Sequence, residues 1–324
     1  MRLTKKPCKK KHEPLCEARF SEYFGETVET GIRRHRRTRM TEWNLERILP
    51  RLLESGRLAL SYFDAPVKEF KKDHSIVTVA DRSVEAFLTE EFNQPQQGSF
   101  VLGEETIESQ SEEYLARAFE QDAWVIDPID GTAPYANGLP TWGVSLGWMR
   151  QGVLKEGAVF LPALGELYYT DKGQVFREKT GSDPDLWKSR PGTPQKLTSP
   201  PPELLPGSML SISQQLSRRG NYRLPFYIQV TGSTVYNLVK LISGSYSAAV
   251  TKFKLWDFAA CLPMVANLGW VMEFHGGGTM GLDMNAGVLR RHINDPNRWE
   301  ARDEVIFAPT SEAAAYLRAG TSPE

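Results

Sequence analysis

The residue types best able to do chemistry in this chain are carboxylates placed where a buried strand ends or a helix begins. The richest stretch is Trp124-Val125-Ile126-Asp127-Pro128-Ile129-Asp130-Gly131-Thr132. An apolar strand runs into Asp127, and Pro128 is expected to stop the ladder and turn the chain. Three residues on, Asp130 can point back into the same pocket, and the Ile129 carbonyl becomes a neutral oxygen donor. Gly131 permits close approach of the backbone to a ligand. A helix turn starting near Thr132 would offer free N–H groups, which suit a phosphate. Hard divalent cations take oxygen ligands, mostly carboxylates, so the stretch reads as a metal site. The competing reading is a β-turn closed by Asp-Gly with ordinary caps. Asp-Gly alone would favour it; the whole hexapeptide after a buried strand does not.

Three other carboxylates are weaker signals alone. Glu104, in Gly103-Glu104-Glu105, follows the short strand Phe100–Leu102, and surface Glu pairs at strand ends are common. Asp81, in Val77-Thr78-Val79-Ala80-Asp81, sits where an extended segment hands over to a helix, so capping competes with catalysis. Asp257, in Leu255-Trp256-Asp257, precedes the apolar run Phe258-Ala259-Ala260-Cys261-Leu262 and is also a plausible cap. A carboxylate can cap a helix and bind a metal together, so these readings do not exclude each other.

Taken in order, these elements resemble the inositol monophosphatase-like phosphatases, the lithium-sensitive superfamily that includes fructose-1,6-bisphosphatases. Val-Thr-x-Ala-Asp, Gly-Glu-Glu, Trp-x-Ile-Asp-Pro-Ile-Asp-Gly-Thr and a late Trp-Asp-x-Ala-Ala carry the resemblance over roughly residues 45–320. Gly138-Leu139-Pro140, the strand through Val144-Ser145-Leu146-Gly147, and Gly232-Ser233-Thr234 before a helix continue it. The resemblance implies a magnesium-dependent phosphomonoesterase with a two-lobed αβαβα layered sandwich, mixing α+β and α/β character, the sugar phosphatase fold. It implies two or three Mg2+ ions. Glu104, Asp127 and the Ile129 carbonyl would hold one, and Asp127, Asp130 and Asp257 a second. Thr132, supported by Asp81, would orient and help deprotonate the attacking water, with Glu104 also in the catalytic set. Gly131, Thr132, Gly232, Ser233 and Thr234 would meet the phosphate or the rest of the substrate, a small phosphorylated metabolite. A homodimer is the partner expectation.

Some positions depart from the family. Ala133-Pro134-Tyr135 replaces the usual Thr-Asn-Phe. Val250 stands seven residues before Asp257, where inositol-specific members carry an acidic residue that contacts sugar hydroxyls. Gln229 stands where they carry Arg, three residues before the Gly-Ser pair, and Asn267-Leu268-Gly269-Trp270 replaces Glu-Ala-Gly-Gly. The expected ligands are intact while hydroxyl-reading positions are altered, which argues against inositol phosphate as the preferred substrate. Lys252 and Lys254 suit either a second anionic group or a solvated strand face.

Rival chemistries fit less well. Haloacid-dehalogenase-type phosphatases place their two aspartates two residues apart, whereas Asp127 and Asp130 are three apart. No Gly-x-x-x-x-Gly-Lys-Ser/Thr loop exists in the 324 residues. A catalytically silent or regulatory homologue with a basic anion-binding arm is the alternative from another class.

Composition sets the remaining bounds. Net charge is −1 with 40% hydrophobic residues, enough for one large core or two ordinary ones. Cys8, Cys16 and Cys261 form neither a disulfide framework nor a zinc pattern. No apolar run reaches membrane-span length, and the N-terminus lacks a secretory h-region, so a cytoplasmic location is expected. Residues 1–40 carry 12 basic against 5 acidic residues and read as a basic, disordered extension. Nucleic acid is not an expected partner except through that arm, which lacks the aromatic pattern of single-strand binders.

The elements that must position the carboxylates follow from periodicity. A helix capped by Thr41 is expected from Leu45 to Phe63, kinked or restarted at Pro50, and another carrying Val84, Phe87, Leu88 and Phe92. Ser99–Gly103 and Trp124–Ile126 read as strands, and 142–170 as antiparallel strands turning at Gln151-Gly152 and Leu164-Gly165. Residues 41–180 would form an α+β metal-binding lobe, 181–207 a Pro-rich connector, and 208–324 an α/β substrate-side lobe. In the last, strands are expected at Met209–Ser213, Phe226–Val230, Tyr246–Thr251, Trp270–Phe274 and Glu304–Ala308. Helices are expected at Ser233–Ser243, Asp257–Leu268 and Ser311–Ala319.

Overall fold

The computed structural model describes residues 42–71, 75–181, 183–189, 192–198 and 204–322. The basic segment 1–40 and Thr41 lie outside the described residues. Helix α1 (Leu45–Phe63) is capped by Asn44, whose side chain accepts from the Glu46 amide at 2.9 Å. It runs unbroken across Pro50. Pro50 and Glu46 share the exposed face, so the Glu46 carbonyl that loses its helical donor is left on the solvent side.

A short hairpin, β1 (Lys68–Phe70) and β2 (Ile76–Thr78), leads into α2 (Val79–Phe92), then β3 (Ser99–Gly103) and α3 (Glu112–Glu120). Next come β4 (Asp122–Asp130), α4 (Thr132–Ala136), β5 (Gly143–Arg150), β6 (Val153–Leu161), β7 (Glu166–Asp171), β8 (Gln174–Lys179) and β9 (Gln195–Lys196). Strands β3 to β9 lie in chain order in one seven-stranded sheet, parallel between β3 and β4 and antiparallel beyond. The described part of 181–207 is not featureless. Its Trp187 packs edge-on against Phe160 at 4.7 Å and donates to the Gly181 carbonyl, and β9 extends the sheet.

The chain continues through β10 (Met209–Ile212), α5 (Gln214–Arg219), β11 (Asn221–Tyr222), β12 (Tyr227–Gln229), α6 (Thr234–Ile242) and β13 (Ala248–Thr251). It ends with α7 (Leu255–Ala259), α8 (Leu262–Asn267), β14 (Val271–Phe274), β15 (Val305–Ala308), α9 (Ser311–Gly320) and β16 (Thr321–Ser322). The second sheet has the order β12-β10-β13-β15-β14, parallel over the first three strands and antiparallel over the rest. Helices α7 and α8 replace the single helix expected over Asp257–Leu268. Pro263 sits in the first turn of α8 and cannot supply the N–H that would continue α7.

Alternation along β4 explains the layering. Trp124 and Ile126 join Leu49, Leu52 and Phe87 on the α1–α2 side, while Ala123 and Val125 join Val235, Leu238 and Phe258 on the α6–α8 side. Phe307 from the second sheet enters that middle core, and Leu210, Val250 and Ile306 face Leu216 and Leu317 beyond it. The result is the expected α-β-α-β-α stack. Gly147 and Gly157 are paired across β5 and β6. A Cβ on Gly157 would lie 1.9 Å from the Ala260 carbonyl, and one on Gly147 2.8 Å from Ala259. Their bare surface lets the α7–α8 junction rest directly on the sheet, which fixes Asp257 above β4 and β5.

Candidate metal centre

In a regular strand, residues three apart face opposite sides. Asp127 pairs with Ser145 and Asp130 with Gly143, so three steps on β4 match two on β5. The strand therefore continues through Pro128 with a one-residue bulge, instead of stopping there as expected. That extra residue turns Asp127 and Asp130 to the same side. With Asp257 they form a group whose ligand oxygens lie within 4.8 Å of one another.

Each aspartate is anchored. Asp257 is the third residue of α7, and its Oδ2 accepts from the Lys254 amide at 2.8 Å. Asp130 accepts the Thr234 amide at 3.1 Å, the Val235 amide at 2.9 Å and the Ser233 hydroxyl, so it caps α6 from outside. Gly131 makes this approach feasible: its φ is +87°, and a Cβ there would meet Ser233 at 2.8 Å. Asp127 is 1% exposed, and its Oδ1 has no hydrogen-bond partner.

The crowding shows in the acid–base behaviour. Burial, then Glu104, Asp130 and Asp257, hold Asp127 well above the usual carboxylate range. Burial raises Asp130 to about 7 even though Ser233 and the α6 amides oppose the shift. Burial and Asp130 raise Asp257. Three ionised carboxylates at this spacing repel by roughly 3 kcal/mol per pair at an effective dielectric constant near 20. A divalent cation reverses the sign of that energy. An all-oxygen donor set with an orphaned buried carboxylate oxygen fits a hard cation such as Mg2+.

Glu104 stands outside this trio but beside it. Gly103 is in register with Ile126, and the Glu104 amide donates to the Ile126 carbonyl at 3.2 Å, which places Glu104 next to Asp127. Its Oε1 is engaged by Lys71 at 3.0 Å, and Lys71 also holds Glu105 at 2.7 Å. Burial lowers the Lys71 pKa, but Glu104 and Glu105 outweigh it and leave the ammonium above its ordinary value. Lys71 was not singled out from sequence, because it opens a Lys-Lys-Asp run that reads as solvated charge.

Asp81 lies at the third position of α2 and closes a capping box, accepting from the Thr78 amide at 2.8 Å and hydroxyl at 2.6 Å. Its Oδ1 is 3.2 Å from the Thr132 hydroxyl, which can donate there or to the Ile129 carbonyl at 3.1 Å. The single hydroxyl proton serves one acceptor at a time, so engaging the Ile129 carbonyl elsewhere commits it to Asp81. Helix α4 begins at Thr132 as expected, although Pro134 in its first turn has no N–H to offer. Of the Gly232-Ser233-Thr234 stretch, the Ser233 hydroxyl and the Thr234 amide donate to Asp130, while the Ser233 amide donates to the Thr231 hydroxyl at 3.3 Å. Lys252 pairs with Glu300 at 3.2 Å, and the Lys254 ammonium lies 5.5 Å from the Trp256 ring centroid.

Glu85 is a further residue that sequence reading missed. It is 1% exposed, and its Oε2 accepts from the Glu105 amide at 2.8 Å while Oε1 has no partner. A Cβ on Gly103 would sit 2.4 Å from its carboxyl carbon, so the carboxyl packs directly against the backbone that carries Glu104. The available signal was its position one helical turn after Asp81, on the same face of α2. Glu85→Ala is expected to weaken Mg2+ binding about tenfold, while Glu85→Gln, which keeps an acceptor, stays near wild type in a calorimetric titration. Equal affinities for the two variants would remove Glu85 from the site's support.

The sequence profile of the inositol monophosphatase family matches residues 52–314. The chain is 27% identical over 231 residues to a histidinol-phosphatase of Chlorobaculum parvum, covering 67% of this chain and 80% of that protein. It is 27% identical over 210 residues to a fructose-1,6-bisphosphatase/inositol-1-monophosphatase of Thermotoga maritima, covering 62% and 72%. Among solved structures, the Thermotoga maritima IMPase superposes with a TM-score of 0.63 at 20% identity, covering 85% of this chain and 95% of that one. At that identity the likeness speaks to the fold.

Proposed function

Because the chain belongs to the inositol monophosphatase family, we propose that it is a Mg2+-dependent phosphomonoesterase acting on a small phosphorylated metabolite. The observation that carries this reading is the buried Asp127, Asp130 and Asp257 group with its unpartnered Asp127 oxygen. Asp127, Asp130, Asp257, Glu104 and the Ile129 carbonyl would hold two or three ions. When bound, Mg2+ supplies charge neutralisation for the phosphoryl oxygens and an activated water.

The chain's own residues do the positioning. Asp81 is fixed by Thr78 and accepts a hydrogen bond from the Thr132 hydroxyl, whose oxygen can in turn accept one from a water; as Thr132 takes the water's proton, its own passes to Asp81. Phosphoryl transfer asks mainly for placement and charge stabilisation, so no protein nucleophile is required. Gly131 and the α4 start would border the phosphate, and Ser233 and Thr234 would act by holding Asp130. No helix among the described residues is long and apolar enough to cross a membrane. A cytoplasmic homodimer is the assembly we propose.

The substrate reading rests on two side chains. Val250 is fully buried between β10 and β15, and its side chain has no atom that could bond a sugar hydroxyl. Gln229 is exposed on β12 and carries no charge. Phosphate release should therefore require Mg2+ and fall with lithium. Inositol 1-phosphate should give a lower kcat/KM than the best of histidinol phosphate, fructose 1,6-bisphosphate and adenosine 3′,5′-bisphosphate. The highest kcat/KM on inositol 1-phosphate would reject the substrate reading. No release from any phosphomonoester, with Mg2+ binding intact, would reject the enzyme reading in favour of a silent homologue.

A further inference from the structure

The link between β14 and β15, residues 275–304, closes over α3 around a cavity of about 390 Å³. Leu115, Ala116 and Phe119 line it from α3, and Arg291, Arg298 and Trp299 from the link. None of its lining residues belongs to the carboxylate cluster.

Its charges do not cancel. The Arg298 guanidinium, 10% exposed, is paired through Nη2 with both oxygens of Glu112 at 2.9 Å. Arg291 has no such partner: among the described residues no carboxylate lies within ion-pair reach of it. Its guanidinium carbon lies 3.8 Å from the Phe119 ring centroid, and Nη1 donates to the Asn285 side chain at 2.7 Å. Burial and the nearby Arg298 lower the Arg291 pKa, the mark of a cation short of an anion. Two buried donors on the lining residues, Arg298 Nε and Trp299 Nε1, also lack acceptors. Unpaired buried donors are costly, and such groups are normally satisfied by a partner.

The backbone holds one wall in place at a cost. Trp299 is 1% exposed yet has φ +73°, a region that L side chains rarely adopt. Its amide donates to the Arg290 carbonyl at 2.7 Å, and its carbonyl accepts from the Leu255 amide at 2.9 Å. Leu255 opens α7, two residues before Asp257. Strain of this kind persists where the surroundings over-determine it, often at binding sites.

We propose that this cavity binds a small organic monocarboxylate whose apolar body lies against Leu115, Phe119 and Trp299 and whose carboxylate meets Arg291. One uncompensated guanidinium matches a single negative charge, and its planar fork suits a carboxylate. The volume lies within the range of small-ligand sites.

Benzoate is the probe, titrated calorimetrically into the full chain with Mg2+ present. One saturable site is expected. Arg291→Met should weaken it at least tenfold, and so should Ala116→Phe, which fills the cavity from an exposed helix position and serves if Arg291→Met fails to fold. Both variants should keep wild-type Mg2+ binding, which separates this site from the metal centre. Benzyl alcohol, the same shape without the charge, should not bind. Absence of a benzoate site in the wild type would overturn the proposal, as would equal affinity in a folded Arg291→Met. Inorganic phosphate competing at this site as tightly as benzoate would overturn it too.

Discussion

Asp127→Asn should reduce Mg2+-dependent phosphate release by a factor on the order of 10³ and leave the fold intact. Asp127 lies close enough to Glu104, Asp130, Asp257 and Asp81 for their charges to act on it. It neighbours Glu104 across the β3–β4 register, shares a face with Asp130 through the bulge, and closes the trio with Asp257. Its free Oδ1 is the one buried ligand oxygen in the trio without a hydrogen-bond partner. Replacing it with an amide removes a charge and offers a donor where a cation should sit. Asn nevertheless matches the protonated carboxyl that the metal-free site favours, because burial and its neighbours hold Asp127 well above the usual range. The metal-free variant should therefore melt no lower than the metal-free wild type at pH 8. Circular dichroism and calorimetric Mg2+ titration separate the effects: unchanged spectra with lost binding support the assignment. Near-wild-type turnover would remove Asp127 from the centre, and with it the reading of the whole hexapeptide.

How far the sequence reaches is visible at this same strand. Residue types and spacing point to Asp127 and Asp130 facing one pocket, and the order of motifs adds Asp81, Glu104 and Asp257 from distant positions as candidates. Periodicity places most strands within a residue or two, because both sheets are buried and their runs are strongly apolar. What it misses is tertiary. Pro128 reads as a stop, since a proline gives up a ladder bond, but a bulge absorbs it while β4 keeps pairing with β5. Pro50 reads as a kink, yet its exposed face tolerates the lost bond. Lys71 and Glu85 look like ordinary surface charges in one dimension, and only packing brings them against Glu104 and Glu105. The Arg291 cavity has no linear signature, because α3 and the 275–304 link meet only in the folded chain.

The second large effect is a pH-dependent response of stability to Mg2+. Asp130 moves from the usual 3.8 to about 7 in the folded, metal-free chain, and Asp127 and Asp257 move in the same direction. Between those pH values the native state keeps protons that the unfolded chain has released, so stability falls as pH rises through the window. For Asp130 the penalty is absent below about pH 4 and complete above about pH 7 to 8. A carboxyl held at about 7 instead of 3.8 makes it on the order of 4 kcal/mol for Asp130 alone. Paired carboxylates elsewhere act oppositely: Lys240, Tyr168 and Arg177 together outweigh burial and lower Glu166, so its contribution is lost in acid. The informative quantity is thus the difference made by Mg2+ at each pH. Metal binding needs the ionised ligands and displaces their protons, so its apparent affinity rises with pH. The Mg2+-induced rise in Tm should be larger at pH 8 than at pH 5.5, by about 5–10 °C for a chain of this size. Asp127→Asn should flatten that difference. An equal Tm rise at both pH values, in wild type and variant alike, would mean that Mg2+ binds somewhere other than the buried aspartates.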